Sequence, residues 1–272
     1  MSRPVALVTG GARGLGRATA LHLAGRDWDL ALLDGSEAAC RVYGEADSIE
    51  EVLGEIRAAG ARAWFSAVDL TDEPAALAAV DAAERALGPI AALVTFAGGD
   101  IRGRDAEASG GKAKPNSAFA SHGDFTSVFD RNFWTTVHAC RAAGAKMRDR
   151  GRGRIVTVSS VAAGFGVEKE TAYATAKAAV LHFTRSLAAE LRPHGVCVNC
   201  VVPGPTNTAR FRATLAHRSP TDREAFDARG TLDRIAEPED VARVVAFFLG
   251  EDGAYVSGQV LRVDGGRFTS PI

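Results

Sequence analysis

The chain has 272 residues, 46% hydrophobic and 24% charged, with a formal net charge of -1. Such a size and apolar share suit one globular domain over residues 1–272, and the near-zero charge argues against nucleic acid or an anionic membrane surface as a partner. Four cysteines without a disulfide pattern suit a reducing cytoplasm, and no apolar run approaches the roughly 20 residues of a membrane span.

The start, MSRPVALVTGG, runs straight into a strand pattern at Pro4 to Thr9, which predicts no signal peptide. A turn rich in glycine follows, Gly10-Gly11-Ala12-Arg13-Gly14-Leu15-Gly16, and then an amphipathic helix to about Ala24. Strand, glycine turn and helix together suggest a phosphate site, because backbone N–H groups and the helix N-terminus face an anion while glycine lets the backbone approach closely. Leu30 to Leu33 is a second strand, ending in Asp34. An acid there, about 20 residues after the glycines, is placed to bond the adenosine ribose hydroxyls of NAD and to repel the 2′-phosphate of NADP. Arg13 is the opposing feature, since a cation in the glycine loop could receive that phosphate.

Residues 36–47 read as irregular and polar. Ser48 to Ala59 is predicted as a helix opening on a capping box, Arg62 to Val68 as a third strand ending in Asp69-Leu70, Asp72 to Leu87 as a helix with Pro74 in its first turn, and Ile90 to Phe96 as a fourth strand ending in Ala97-Gly98-Gly99. The alternation predicts a doubly wound, mostly parallel sheet of about seven strands with helices on both faces, an α/β fold of Rossmann type. Asp100 to Gly123 is predicted as a long loop and Phe125 to Arg148 as a helix holding Asn132. Arg154 to Ser159 is a fifth strand running into Ser160.

Thr171 to Arg192 reads as one long helix. Ala172, Ala176, Val180, Phe183, Leu187 and Leu191 form its apolar stripe, Thr171 is its expected cap, and Pro193 and Gly195 end it. Tyr173 and Lys177, four residues apart, share one face, so the ammonium would stabilise phenolate and lower the tyrosine pKa from about 10 toward working pH. Such a tyrosine can act as a general acid or base. Val196 to Val202 is a sixth strand, followed by Pro203-Gly204-Pro205-Thr206-Asn207-Thr208. Within it Cys197 and Cys200 form a C-x-x-C pair whose side chains would point to opposite faces, so buried thiols and no metal are expected. Arg210 to Asp233 is polar, Pro238 to Leu249 is a helix, and Gln259 to Val263 is the last strand, before Asp264-Gly265-Gly266.

Over nearly its whole length the chain resembles the short-chain dehydrogenase/reductase family. The resemblance rests on Thr9-Gly-x-x-x-Gly-x-Gly16, Asp69-Leu70, Asn132, Ser160 placed 13 residues before Tyr173, Tyr173-x-x-x-Lys177, Asn199, Pro203-Gly204 with Thr208, and the ending Gly258-Gln259…Val263-Asp264-Gly265-Gly266. It implies Tyr173 as the acid/base, Lys177 as holder of the nicotinamide ribose, Ser160 as a hydrogen-bond partner of the substrate oxygen, and Asn132 as support for a proton-relay water. It further implies cofactor contacts at Gly10, Arg13, Gly14, Leu15, Gly16, Asp34, Asp69, Leu70, Ala97, Gly98, Tyr173, Lys177, Pro203, Gly204, Thr206 and Thr208. The activity so implied is an NAD-dependent oxidation or reduction of a secondary alcohol and ketone pair, and the assembly so implied is a homotetramer. An NADPH-dependent 3-oxoacyl-type reductase is the alternative, and a non-catalytic dinucleotide sensor on the same fold would be expected to carry a damaged quartet. Thr95-Phe96-Ala97-Gly98 departs from the usual Asn-Asn-Ala-Gly, and the segments 36–47 and 100–123 are longer than the family norm. The first insertion is expected to cover the adenosine. The second is expected to shape the substrate pocket or a subunit contact, with residues 205–233 as the substrate loop. Arg102, Arg104, Lys112 and Lys114 are read as part of a solvated loop balanced by Asp100, Asp105 and Glu107.

Overall fold

Every residue of strand β1 (Val5–Thr9) is buried, and its alternate side chains serve two different cores. Ala6 and Val8 enter one apolar cluster, and Val5 and Leu7 enter the other. Apolar residues on both faces of one strand are what a sheet covered on both sides requires. The computed structural model describes residues 3–99, 117–166, 168, 170–213 and 230–269. Seven strands form the sheet: β1, β2 (Asp29–Asp34), β3 (Ala63–Ala67), β4 (Ile90–Thr95), β5 (Gly153–Val158), β6 (Val196–Pro203) and β7 (Val260–Val263). Their order is β3-β2-β1-β4-β5-β6-β7, and every neighbouring pair is parallel.

The helices are α1 (Gly14–Ala24), α2 (Ile49–Ala58), α3 (Glu73–Leu87), α4 (His122–Phe129), α5 (Thr135–Arg150), α6 (Thr171–Leu191), α7 (Ala209–Ala213) and α8 (Pro238–Leu249). Residues of α1, α2 and α8 pack on one face of the sheet, and those of α3, α5 and α6 on the other. The chain builds outward from β1 to β3, then returns to β4 on the far side of β1. Ligands of such sheets lie beyond the C-terminal strand ends at this reversal. The glycine turn, Asp34, Ala97–Gly99, Ser160 and Pro203–Gly204 all lie beyond or at those ends.

Several boundaries differ from the sequence expectation for local reasons. The helix expected over 125–148 starts at His122, where the Ser121 hydroxyl accepts from Asp124 N at 3.1 Å, and ends at Arg150, before Gly151 in the left-handed region. It is also not one uniform helix, because Asp130–Trp134 is a π turn that carries Asn132. Thr171 is the first residue of α6 and not its cap; Glu170 takes that position, without a side-chain capping bond. Ser48 caps α2 through Glu51 N at 3.2 Å, while Glu51 reaches back to Asp47 N rather than to Ser48. Within the segment 36–47, Glu37–Arg41 forms a 3-10 turn anchored by buried Ala39 and Cys40. Cys200 is buried as expected, but Cys197 is only half-buried. Arg210 falls in α7. Residues 100–116, including Arg102, Arg104, Lys112 and Lys114 and the acids beside them, lie outside the described residues, as do 214–229 of the expected substrate loop.

Candidate active site

The turn after β1 is built by steric demands on glycine. Gly10 has φ +65°, and a Cβ there would meet Ala97 N and the Phe96 carbonyl carbon at 2.9 Å. A Cβ on Gly16 would stand 2.0 Å from Gly10 O, so the helix can leave β1 this tightly only with glycine at 16. Gly10 N donates to Leu33 O at 2.7 Å and ties the turn to β2. Gly14, Leu15 and Gly16 open the first turn of α1, where backbone N–H groups have no acceptor within the helix.

Asp34 closes β2 and lies against this turn. Its Oδ2 accepts from Ala12 N at 3.2 Å, and its Oδ1 accepts from Gly35 N at 2.8 Å. Arg13 is stacked on Tyr43, with its guanidinium carbon 4.8 Å from the ring centroid. Its Nη1 is buried and has no hydrogen-bond partner among the described residues. Gly14 N donates to Glu45 Oε2 at 2.7 Å. The segment 36–47 was expected to cover the adenosine, but neither Tyr43 nor Glu45 was singled out within it. A glutamate in an irregular polar segment carries no sequence signal for this position.

At the other end, α6 meets β5. The Lys177 side chain is only 5% exposed, and its Nζ donates to Val158 O at 3.0 Å. Ser159 Oγ returns a bond from strand end to helix, donating to Lys177 O at 2.7 Å. Lys177 Nζ lies 5.9 Å from the centroid of the half-buried Tyr173 ring. Burial lowers the Lys177 pKa from 10.5 to about 8, and the Arg210 guanidinium pushes the same way. Ser160 follows directly, its Oγ accepting from Ala162 N at 3.3 Å at the start of a 3-10 turn, Val161–Gly164, that packs on α6.

Asn132 is fully buried and clamps the end of β4. Its Nδ2 donates to Gly99 O at 2.6 Å and to Val128 O at 2.8 Å, while Oδ1 accepts from Gly99 N at 2.9 Å. Both side-chain donors are thus committed to the protein. Gly98 is wedged between this amide and Lys177: a Cβ there would be 2.7 Å from Asn132 Oδ1 and 3.4 Å from Lys177 Nζ. A Cβ on Gly99 would meet Arg210 Nη1 at 2.5 Å, which places the Arg210 guanidinium over the same strand end. Ala97 N donates to Thr9 Oγ1 at 3.1 Å. The Thr95 hydroxyl, where the family pattern has asparagine, is buried without a partner among the described residues.

The remaining expected residues are spread along the same edge. Asp69 Oδ1 accepts from both Thr71 N and Thr71 Oγ1, bonds that hold its pKa below the usual carboxylate value. Leu70 is buried, and its carbonyl bonds His138 Nδ1 at 3.0 Å. Gly204 follows Pro203, and a Cβ there would meet Asp264 Cβ at 2.8 Å. Thr206 turns its hydroxyl inward onto Gly204 O, and Thr208 Oγ1 accepts from Phe211 N to start α7. Asn199 serves the fold: it donates to Val256 O at 2.8 Å and accepts from Gln259 N at 3.0 Å.

These residues fit a dinucleotide. A phosphate-sized anion has first-turn amides and a buried, unpartnered Arg13 Nη1 to meet, a ribose has the Asp34 carboxylate, and the far end of the cleft offers a phenol beside a buried ammonium.

Comparison with known proteins bears on the same cleft. The sequence pattern described as short chain dehydrogenase matches residues 4–219. The chain is 37% identical over 269 residues to the short-chain reductase protein NovJ of Streptomyces niveus, covering 97% of this chain and 93% of that protein. It is 37% identical over 268 residues to a cyclohexanol dehydrogenase of Rhodococcus sp. (strain TK6), covering 96% and 95%. Its fold superposes on the crystal structure of levodione reductase with a TM-score of 0.83 at 27% identity, covering 98% of each chain.

Proposed function

The chain belongs to the short-chain dehydrogenase family, and from that premise we propose that it is an NAD-preferring oxidoreductase of secondary alcohols and ketones. The observation that carries this reading is the buried Lys177 ammonium, 5.9 Å from the Tyr173 ring at the C-terminal edge of the sheet. A cation at that range favours the phenolate, so Tyr173 can take a proton from a substrate hydroxyl or return one to a carbonyl oxygen. Ser160, two residues past the strand end at Val158 that holds Lys177, is proposed to hydrogen-bond the same oxygen. Asn132 spends both donors on protein carbonyls, and its role in this reading is to hold Gly98 and Gly99 close to Lys177. A nicotinamide cofactor, when bound, supplies hydride transfer. Gly10, Gly14, Leu15 and Gly16 would hold its phosphates, Asp34 its adenosine ribose, and Lys177 the ribose at the reacting end. A secondary alcohol is also the class to which cyclohexanol, in the name of one relative, belongs.

Preference for NAD rests on Asp34, whose carboxylate stands against the glycine turn. An NADPH-dependent ketoreductase is the second reading, and the unpartnered Arg13 Nη1 favours it. The homotetramer is proposed on the family resemblance alone, with the surface on α4 and the π turn that holds Phe125, Phe129 and Trp134 as a subunit contact.

Two measurements test the reading. Fluorescence titration with NADH and NADPH should give tighter binding of NADH, and preference for NADPH would move the assignment to the second reading. Tyr173→Phe should keep the cofactor affinity while turnover falls by about 10²–10⁴-fold or below detection; retained turnover would remove Tyr173 from the mechanism.

A further inference from the structure

We infer that Glu45 is a specificity-determining residue of the cofactor site: its carboxylate holds the Gly14 amide that a dinucleotide phosphate would otherwise meet. The inference rests on the dinucleotide reading above and concerns a residue outside the family motifs.

Glu45 is delivered to the glycine turn by built structure. Ala39, Cys40 and Ala46 are buried in the main core, which anchors the segment on both sides of it. Gly44 takes φ +66°, and Glu45 N donates to Cys40 O at 3.2 Å, so the backbone is turned back on itself just before the carboxylate. Tyr43 lies under the Arg13 guanidinium. The segment thus touches two consecutive residues of the turn, Arg13 by an aromatic face and Gly14 by a charged oxygen.

The contact puts a carboxylate on a helix N-terminus. Gly14 opens α1, whose N-terminus attracts anions. Glu45 Oε2 takes the amide at 2.7 Å, the length of a charge-assisted bond, while Oε1 is buried with no partner among the described residues. One N–H has one good acceptor direction, and two anions at hydrogen-bond range repel each other. A phosphate seated on this turn therefore competes with Glu45 or lies against it. Together with Asp34 on Ala12 N, Glu45 completes a pair of carboxylates on the two sides of Arg13. An additional phosphate directed to Arg13 meets both, so Glu45 lowers affinity for any dinucleotide and lowers it most for one carrying a 2′-phosphate.

The test is fluorescence titration of wild type, Glu45→Gln and Glu45→Ala with NADH and NADPH, with ligand-free thermal melts alongside. Removing the carboxylate should tighten NADH roughly tenfold, the size expected for one charge-assisted hydrogen bond, and should tighten NADPH by a larger factor. Glu45→Gln, which keeps an acceptor but not the charge, should fall between. Ligand-free Glu45→Ala should melt a few degrees lower, because the Gly14 amide loses its partner. NADH affinity unchanged or weaker in Glu45→Ala, with wild type binding NADH normally, would overturn the inference and leave the dinucleotide reading standing. Binding of neither dinucleotide by any of the three proteins would overturn both.

Discussion

The two ends of the proposed site are held by different means. At the Tyr173 end, polar side chains are fixed by main-chain carbonyls: Lys177 by Val158, Asn132 by Gly99 and Val128, and Ser159 by the carbonyl of Lys177 itself. At the glycine-turn end the pattern is reversed, and backbone amides are held by side-chain carboxylates, Ala12 by Asp34 and Gly14 by Glu45. A carbonyl wired into a strand or a helix, as those of Val158, Val128 and Lys177 are, cannot move without disturbing that element, so Lys177 and Asn132 are preorganised by the fold. A carboxylate at the end of a side chain is moved by a rotamer change or by one substitution. The proposed reacting end is therefore tied to the fold, and the proposed nucleotide end is where charge can be tuned without rebuilding the protein.

The largest effect should come from the one part of the nucleotide end that is steric rather than electrostatic. Gly16→Ala would place a methyl group 2.0 Å from Gly10 O, backbone against backbone, with no flexible neighbour to give way. A loss of about 3 kcal/mol or more is expected, seen as a melting temperature lower by roughly 10 °C. A melt within 2 °C of wild type would show that the turn adjusts more readily than the contact implies.

Next in size is the pH dependence of Lys177, which measures how firmly the reacting end encloses its charge. Its native pKa is lowered to about 8, against 10.5 for the free side chain, mainly by burial. Below about pH 8 the native state carries a buried charge that the unfolded chain keeps in water, and between 8 and 10.5 the unfolded chain binds the extra proton, so native stability rises with pH across that window. Lys177→Met removes the group, and its stability advantage over wild type should be full below pH 8 and smaller by about 2 kcal/mol at pH 9.5. Urea melts at pH 7 and 9.5 give the difference; an advantage independent of pH would mean that the ammonium is well solvated.

Asp34→Asn asks whether charge or shape governs the nucleotide end. Asparagine keeps an acceptor for Ala12 N, so the fold should hold while the ratio of NADPH to NADH affinity rises about tenfold, or about 1.4 kcal/mol. A ratio unchanged on titration would assign the preference to another group. The smallest effect is expected at Ser159→Ala. It removes one buried hydrogen bond to the Lys177 carbonyl and should cost about 1 kcal/mol in denaturant melts. A change in turnover far beyond that figure would give Ser159 a place in the chemistry.

Much of the fold was legible in the chain. The alternation of apolar runs and amphipathic stretches predicted the parallel sheet, and the Thr171 stripe predicted α6 to within one residue of its observed end. The glycines of the turn, the acid at the end of β2 and the four-residue step from Tyr173 to Lys177 picked out residues that the structure brings to one edge of the sheet. Less legible were helix boundaries and caps, because capping is decided by single hydrogen bonds such as Ser121 to Asp124. The π turn at Asn132 was illegible for a related reason: a one-residue shift in helical bonding leaves the apolar pattern nearly unchanged.

The sequence by itself determined what depends on near neighbours: strand and helix periodicity, the close approach of Gly16 to Gly10 within one turn, and the shared helix face of Tyr173 and Lys177. Only the tertiary structure decided that Glu45 bonds an amide 31 residues away, that Arg210 comes over the end of β4, and that Asn132 commits its donors to Gly99 and Val128. These contacts depend on the path of turns between elements and on side-chain rotamers. Neither leaves a periodic trace in the sequence, because a hydrogen bond constrains two atoms in space and not the spacing of residues along the chain.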